Sequence, residues 1–250
     1  MSSSCRPIFI HGWATDSRVW QPLSEGFSGA VLCGLPGHGI QRRWHTTGLE
    51  PAVDRLVETL KASKGDPFVA VGWSLGAKVA LKAVMDGRVR LRGLVLVGAS
   101  PSFVKREGFP HGQSVPLVRR MLMDFKSSPE ETLKRFYPLN FTEREFSTDG
   151  AQRFLSLYSS IPEGFELEDV SVALKTLMEV DLRAGLKELN LPVLIVHGTE
   201  DGVCPPQGAE YLKENIDGAR VEWFEGCGHA PFVTEPERFE ELLRRFMETL

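Results

Sequence analysis

The stretch Phe68-Val69-Ala70-Val71-Gly72-Trp73-Ser74-Leu75-Gly76-Ala77-Lys78-Val79 decides the fold. Its opening, FVAVG, is apolar without alternation, the pattern of a strand covered on both faces. After Ser74 the apolar positions take helical spacing: Leu75, Val79, Ala83 and Val84 share a face, and Gly87 closes the run. A strand that passes through Gly-x-Ser-x-Gly into a helix forms a sharp elbow. Gly72 and Gly76 remove Cβ atoms that so tight a turn could not hold, and the Ser74 hydroxyl is lifted clear at a helix N-terminus. The five-residue pattern is weak evidence by itself, and its strand-before, helix-after context gives it weight. The bland alternative makes Ser74 an N-cap and the glycines packing devices.

Outward from this elbow, short runs rich in Val, Ile and Leu recur at 7–10 (PIFI), 30–33 (AVLC), 94–98 (LVLVG), 193–198 (VLIVHG) and 220–224 (RVEWF). Helical patterns separate most of them; in EPAVDRLVETLKAS, Val53, Leu56, Val57 and Leu60 fall on one face. The alternation predicts a doubly wound, mostly parallel α/β sheet in one domain over residues 1–250. Residues 102–185 break the rhythm with no strand and several helices, one of them opened by Ser128, Pro129 and Glu131 as a capping box. An insertion of that length, after the strand ending near Gly98, is expected to form a helical cap over the sheet's carboxyl edge.

Bulk properties narrow the function. The chain has 29 Lys+Arg against 33 Asp+Glu, net charge -4, and no basic run long enough to follow a phosphate backbone, so nucleic acid is excluded as a partner. Cys5, Cys33, Cys204 and Cys227 lie far apart without CxxC spacing, which predicts reduced thiols and no metal site. The opening MSSSCRPIFIHGW leaves no room for a secretory signal, and no apolar run approaches a membrane span. A cytoplasmic protein without membrane contact is expected, and a monomer.

Chemistry gathers at the carboxyl ends of the strands. Gly228-His229-Ala230 follows the last strand, so His229 opens at the same edge as Ser74; an imidazole with an ordinary pKa near 6.5 can take the serine proton and return it. Thr199-Glu200-Asp201-Gly202 follows VLIVHG and offers the orienting carboxylate, Asp201 ahead of Glu200 because Gly202 lets the loop turn the shorter side chain inward. The order Ser74, Asp201, His229 is the one expected of this kind of sheet. Ile10-His11-Gly12-Trp13 follows the first strand, so the backbone N–H groups of Trp13 and Leu75 are the expected oxyanion donors. His11 and His38, the latter in LPGHG, are expected to fix their loops. His45 falls in a polar loop, His111 in the cap and His197 inside a strand, and Asp181 is the reserve carboxylate. No cofactor is called for.

Together HGW, LPGHG, GWSLG, ASPSF (99–103), VDLR (180–183), DG (201–202) and HAPF (229–232) resemble the α/β-hydrolase superfamily, and within it the pimeloyl-carrier-protein methyl ester esterases of biotin synthesis. The resemblance spans almost the whole chain. It implies a serine esterase that removes the methyl ester from a pimeloyl chain held on acyl carrier protein, with Ser74, Asp201 and His229 as its triad. It further implies that Trp13, Phe136, Tyr137, Pro138, Leu139, Asn140 and Phe232 contact substrate. Arg119, Arg120, Lys126, Lys134, Arg135, Arg144 and Arg153 would then meet the carrier's acidic surface. Three other readings stay open: a generic short-chain carboxylesterase, a carbon-carbon lyase of the kind used in menaquinone synthesis, and a ligand receptor that does no chemistry.

Overall fold

The computed structural model describes residues 5–40, 42–63 and 67–250; the polar lead-in read at residues 1–4 lies outside them. Six strands form one sheet: β1 (Arg6–Ile10), β2 (Val31–Cys33), β3 (Phe68–Trp73), β4 (Gly93–Val97), β5 (Val193–Gly198) and β6 (Arg220–Phe224). Their order is β2-β1-β3-β4-β5-β6, and every pairing is parallel. β3, β4 and β5 are buried along their whole length, which is why they read as unbroken apolar runs. At the two edges, β2 and β6 are only half-buried.

Ten α-helices connect and cover the strands among the described residues: α1 (Gln21–Ser24), α2 (Glu50–Ala62), α3 (Leu75–Met85), α4 (Val115–Ser127), α5 (Pro129–Phe136), α6 (Asp149–Leu157), α7 (Leu167–Glu179), α8 (Gln207–Asn215), α9 (Pro231–Thr234) and α10 (Pro236–Glu248). None is long and apolar enough to cross a membrane. The α3 helix packs on β3 and α2, and α8 on β5 and β6. Phe9 of β1 faces a separate aromatic cluster: Trp20 lies 5.2 Å away, and Trp20 in turn meets Phe239 of α10 at 6.2 Å.

Between β4 and β5 stand α4 to α7 and no strand, only isolated bridges such as Ser102 with Asp181. Ser114 and Thr148 cap α4 and α6 by accepting the N–H of Leu117 and Ala151. The capping box expected at Ser128 does not form. Ser128 also ends α4, its N–H held 2.8 Å from the Asp124 carbonyl, and its hydroxyl makes no cap bond; Glu131 turns instead toward Lys134, 3.3 Å away. Two helices that share one boundary residue leave it no freedom to serve both ends. All four cysteines are free thiols.

Candidate active site

In a parallel sheet every strand ends at the same edge, so the loops after β1, β3, β5 and β6 converge there. The chain runs outward both ways from the β1–β3 neighbourhood, and a crevice opens where strand order reverses. Ser74 sits in it, at the first turn of α3.

From Phe68 to Leu81 every residue is buried except Ser74. Its backbone holds φ 54, ψ −110, a left-handed conformation that costs a residue with a Cβ about 1–3 kcal/mol. The N-cap reading fails, because the hydroxyl accepts no backbone N–H of α3. Gly76 is required: a Cβ there would run into the carbonyl of Ile10 and lie 2.6 Å from that of His11. Gly72 likewise would bring a Cβ 2.6 Å from the Cα of Ala77. Ala14, with φ 55, is the other non-glycine in the left-handed region among the described residues, and it lies in the loop after β1. Strain therefore gathers at the two loops that face each other across the crevice. Leu75 opens α3, so its N–H lacks an acceptor four residues back in the helix and adds to the positive end of the dipole.

His229 Nδ1 lies 2.7 Å from Asp201 Oδ2, and both side chains are buried. Asp201 Oδ1 accepts the N–H groups of Val203 and Cys204, each at 2.8 Å, which fixes the carboxylate plane. Burial would raise the Asp201 carboxyl, but attraction to His229 and the hydrogen bonds from His197 and His229 outweigh it and hold the group below the usual carboxylate range. With Nδ1 engaged by Asp201, Nε2 is the nitrogen of His229 left for proton transfer.

The His229 loop is held by three elements. Trp73, the residue before the elbow serine, donates its indole N–H to the His229 carbonyl at 2.9 Å. Asn140 offers its carbonyl to the His229 N–H at 2.8 Å. Glu145, 3% exposed, accepts the Gly228 N–H (2.7 Å), the Thr142 N–H (2.8 Å) and the Thr234 hydroxyl (2.5 Å). Two of these holds come from the segment between β4 and β5. Neither Glu145 nor the structural part of Trp73 was foreseen in the sequence, where one acidic residue in an inserted helix region carries no local signal.

Ser74 and His229 open on one narrow cavity. Phe103, Met121, Phe136, Leu174 and Leu177 wall it from residues 102–185, and Gly12, Trp13, Trp73 and Val203 from the loops of the sheet. Asn140 adds a polar group, and no charged side chain lines it. Trp13 is locked by edge-to-face contacts with Phe125 (5.6 Å) and Phe136 (5.0 Å), and its indole donates to the Val170 carbonyl at 2.8 Å.

Of the expected substrate residues, Trp13, Phe136 and Asn140 are on this lining. Tyr137 is buried beside it with its hydroxyl on the Ala14 carbonyl, 2.7 Å, while Pro138 is half-buried and Leu139 is 60% exposed. Phe232 stacks on Trp20 at 3.9 Å behind the His229 loop. Together with Arg153 it lines a separate groove between α1, α6 and α10. Glu200 and His45 are exposed, as is His111; Asp181 pairs with Arg183 at 2.8 Å. His11 Nδ1 lies 2.9 Å from the Gly12 carbonyl and its Nε2 accepts the Leu35 N–H at 2.9 Å, so it ties the loops after β1 and β2 together. His38 Nδ1 sits 2.8 Å from the Pro36 carbonyl. His197 is not a remote core residue: its Nε2 lies 3.2 Å from Asp201 Oδ2. A histidine at the carboxyl end of a strand, four residues before Asp201, is the signal that could have found it.

The chain belongs to the alpha/beta hydrolase family, whose model matches residues 8–242. Among its relatives is a pimeloyl-[acyl-carrier protein] methyl ester esterase of Nitrosomonas europaea, 32% identical over 237 residues, covering 93% of this chain and 91% of the relative. A protein of the same name from Aromatoleum aromaticum is 31% identical over 242 residues, covering 92% and 93%. Among solved structures, an esterase from Exiguobacterium antarcticum superimposes with a TM-score of 0.84 at 27% identity, over 99% of this chain and 93% of that one.

Proposed function

We propose that this chain is a serine carboxylic ester hydrolase that cleaves the methyl ester of pimeloyl-acyl carrier protein. The observation that carries the reading is the hydrogen-bonded His229–Asp201 pair opening, with the strained Ser74, on one uncharged apolar cavity. The names borne by relatives at about 30% identity over nine-tenths of both chains supply the substrate. An apolar wall without a cation suits a pimeloyl end masked as its methyl ester; the free carboxylate would be stranded there.

Ser74 Oγ attacks the ester carbonyl carbon while His229 Nε2 takes its proton. Asp201 holds the imidazole tautomer and offsets the charge that forms on it. The tetrahedral oxyanion lies against the Trp13 and Leu75 N–H groups, each worth about 3 kcal/mol of the barrier. The carbon–methoxy bond then breaks and His229 returns the proton, releasing methanol and leaving an acyl-serine. Water attacks the acyl-serine by the same steps in reverse order of groups, giving the free acid and restoring Ser74.

In this reading residues 102–185 are a lid within a single domain, and the enzyme works as a monomer in the cytoplasm. Among the expected docking residues Arg119, Lys126 and Arg153 are exposed and carry no ion pair among the described residues, so they are the cations most available to an acidic carrier. Arg120 and Arg135 are shared with Asp124, Lys134 with Glu130 and Glu131, and Arg144 reaches the Glu225 carbonyl. The test is methanol release from methyl pimeloyl-carrier protein by the wild type and by Ser74→Ala, beside a short p-nitrophenyl ester. Ser74-dependent cleavage that favours the carrier-bound ester is expected; preference for the short ester would overturn the substrate, and turnover by Ser74→Ala the mechanism.

A further inference from the structure

Asp201 has four acceptor positions, of which three take hydrogen bonds and the fourth faces a second histidine. Val203 and Cys204 take Oδ1, and His229 takes one site on Oδ2. The fourth faces His197, from the end of β5, with Nε2 at 3.2 Å. That same Nε2 lies 2.8 Å from the Cys204 carbonyl. Both neighbours are acceptors, so Nε2 carries the hydrogen and is shared between them. His197 is fully buried, its Nδ1 has no hydrogen-bond partner, and its ring stands edge-to-face with Trp223 at 6.0 Å. An apolar ring of similar size would fill that space without the cost of an unpaired polar nitrogen. The Nε2–H is what the site gains in return.

We infer that His197 is a positioning residue for the ester-cleavage step, holding Asp201 Oδ2 on the His229 Nδ1 axis and drawing off part of the carboxylate's charge. The inference rests on the triad reading given above. Two donors on one carboxylate oxygen fix where its lone pairs point, so the imidazole is aligned from behind. They also share one negative charge. Without the Nε2–H, more of that charge falls on His229 alone, which then binds its proton more tightly. The other ionisable groups packed around this cluster are the Cys204 thiol, which burial pushes up, and the Lys78 ammonium of α3, which burial brings down to about 8 while it donates to the Ser100 carbonyl at 2.6 Å. Both stay in place when only residue 197 changes.

The experiment compares His197→Phe, His197→Asn and His197→Gln with the wild type through kcat/KM against pH and thermal melting. Gln can place an N–H near the Nε2 position; Asn is too short to reach Asp201, and Phe has no donor. Phe and Asn are expected to move the acid limb of the profile up by roughly 0.5–1 pH unit and to lower kcat about tenfold or more, with Gln close to wild type. If Phe does not fold, Asn against Gln decides. An acid limb that stays put in Phe or Asn, or a Gln variant as impaired as they are, would show that His197 only fills space and overturn the inference. A wild type without Ser74-dependent hydrolysis would refute the triad reading instead, so the two failures are distinct.

Discussion

Replacing Glu145 with Ala should weaken the fold and the chemistry together. The carboxylate is buried and accepts three donors, two of them backbone N–H groups, at Gly228 and Thr142. Truncation leaves those two N–H groups without an acceptor, at about 1–3 kcal/mol each, so the loss centres near 4 kcal/mol. For a chain of this size that lowers the melting temperature by roughly 8–16 °C, at about 2–4 °C per kcal/mol. Gly228 adjoins His229, so the loosened loop also misplaces the base, and a shift on the order of 1 Å costs up to a hundredfold in rate. Glu145→Gln keeps the shape and one acceptor oxygen, and should fall between. Thermal melting and kcat on a short ester, measured on the same preparations, check this. A melting temperature within 2 °C of wild type, or a large drop in stability with kcat unchanged, would refute the coupling between Glu145 and the base; the 2 °C bound is about what 1 kcal/mol gives at the low end.

Ser74→Gly removes the nucleophile and also the left-handed strain, worth about 1–3 kcal/mol, against about 0.5–1 kcal/mol for glycine's freer unfolded chain. It should be inactive yet melt above Ser74→Ala, which keeps the strained Cβ; a Gly variant that melts below the Ala variant would show that the elbow is relaxed. Burial brings His11 down to about 4 and His38 to about 3, so the folded state keeps both neutral while the unfolded chain protonates them below about pH 6.5. Their contribution is whole above pH 6.5 and is lost as pH falls, at about 1.4 kcal/mol per histidine per pH unit. His38→Asn can keep the bond to Pro36 without titrating, and should roughly halve the fall in melting temperature between pH 6.5 and 5; an unchanged slope would sink the assignment.

What could be read in the sequence was what repeats locally. The central strands β3, β4 and β5 show as apolar runs because both faces are covered, and the elbow shows because Gly72 and Gly76 answer to steric limits within a few residues. Asp201 and His229 were legible through order along the chain, since parallel strands bring their following loops to one edge. Ser128 misled because a capping box read from four residues cannot see that α4 ends on the same serine. Glu145 was missed for a related reason: its partner Gly228 is 83 residues away, and no local pattern encodes which loop an inserted segment will touch, whereas His197 read as a strand residue although its partner Asp201 follows four residues on. Tyr137, Pro138 and Leu139 were carried as a block with Phe136 and Asn140, but in a helical turn adjacent residues face different ways, and only the latter two line the cavity.

Trp73 explains why the second position of GWSLG is large. Its ring fills the space where a Cβ on Gly12 would come to 2.9 Å, its indole N–H holds the His229 carbonyl, and its face meets Phe154 of α6 at 6.3 Å and Phe232 at 5.3 Å. One side chain thus spans the loop after β1, the His229 loop and the inserted helices. Asn140 and Glu145 grip the base loop from the inserted segment, while Phe136 and Asn140 line the cavity in which an acyl chain would lie. The residues that would feel the substrate and those that hold His229 therefore belong to one short stretch, 136–145. Under the proposed mechanism, movement of that stretch away from the sheet would open the cavity and release the base in the same event, and so would tie proton transfer to a closed, water-poor site.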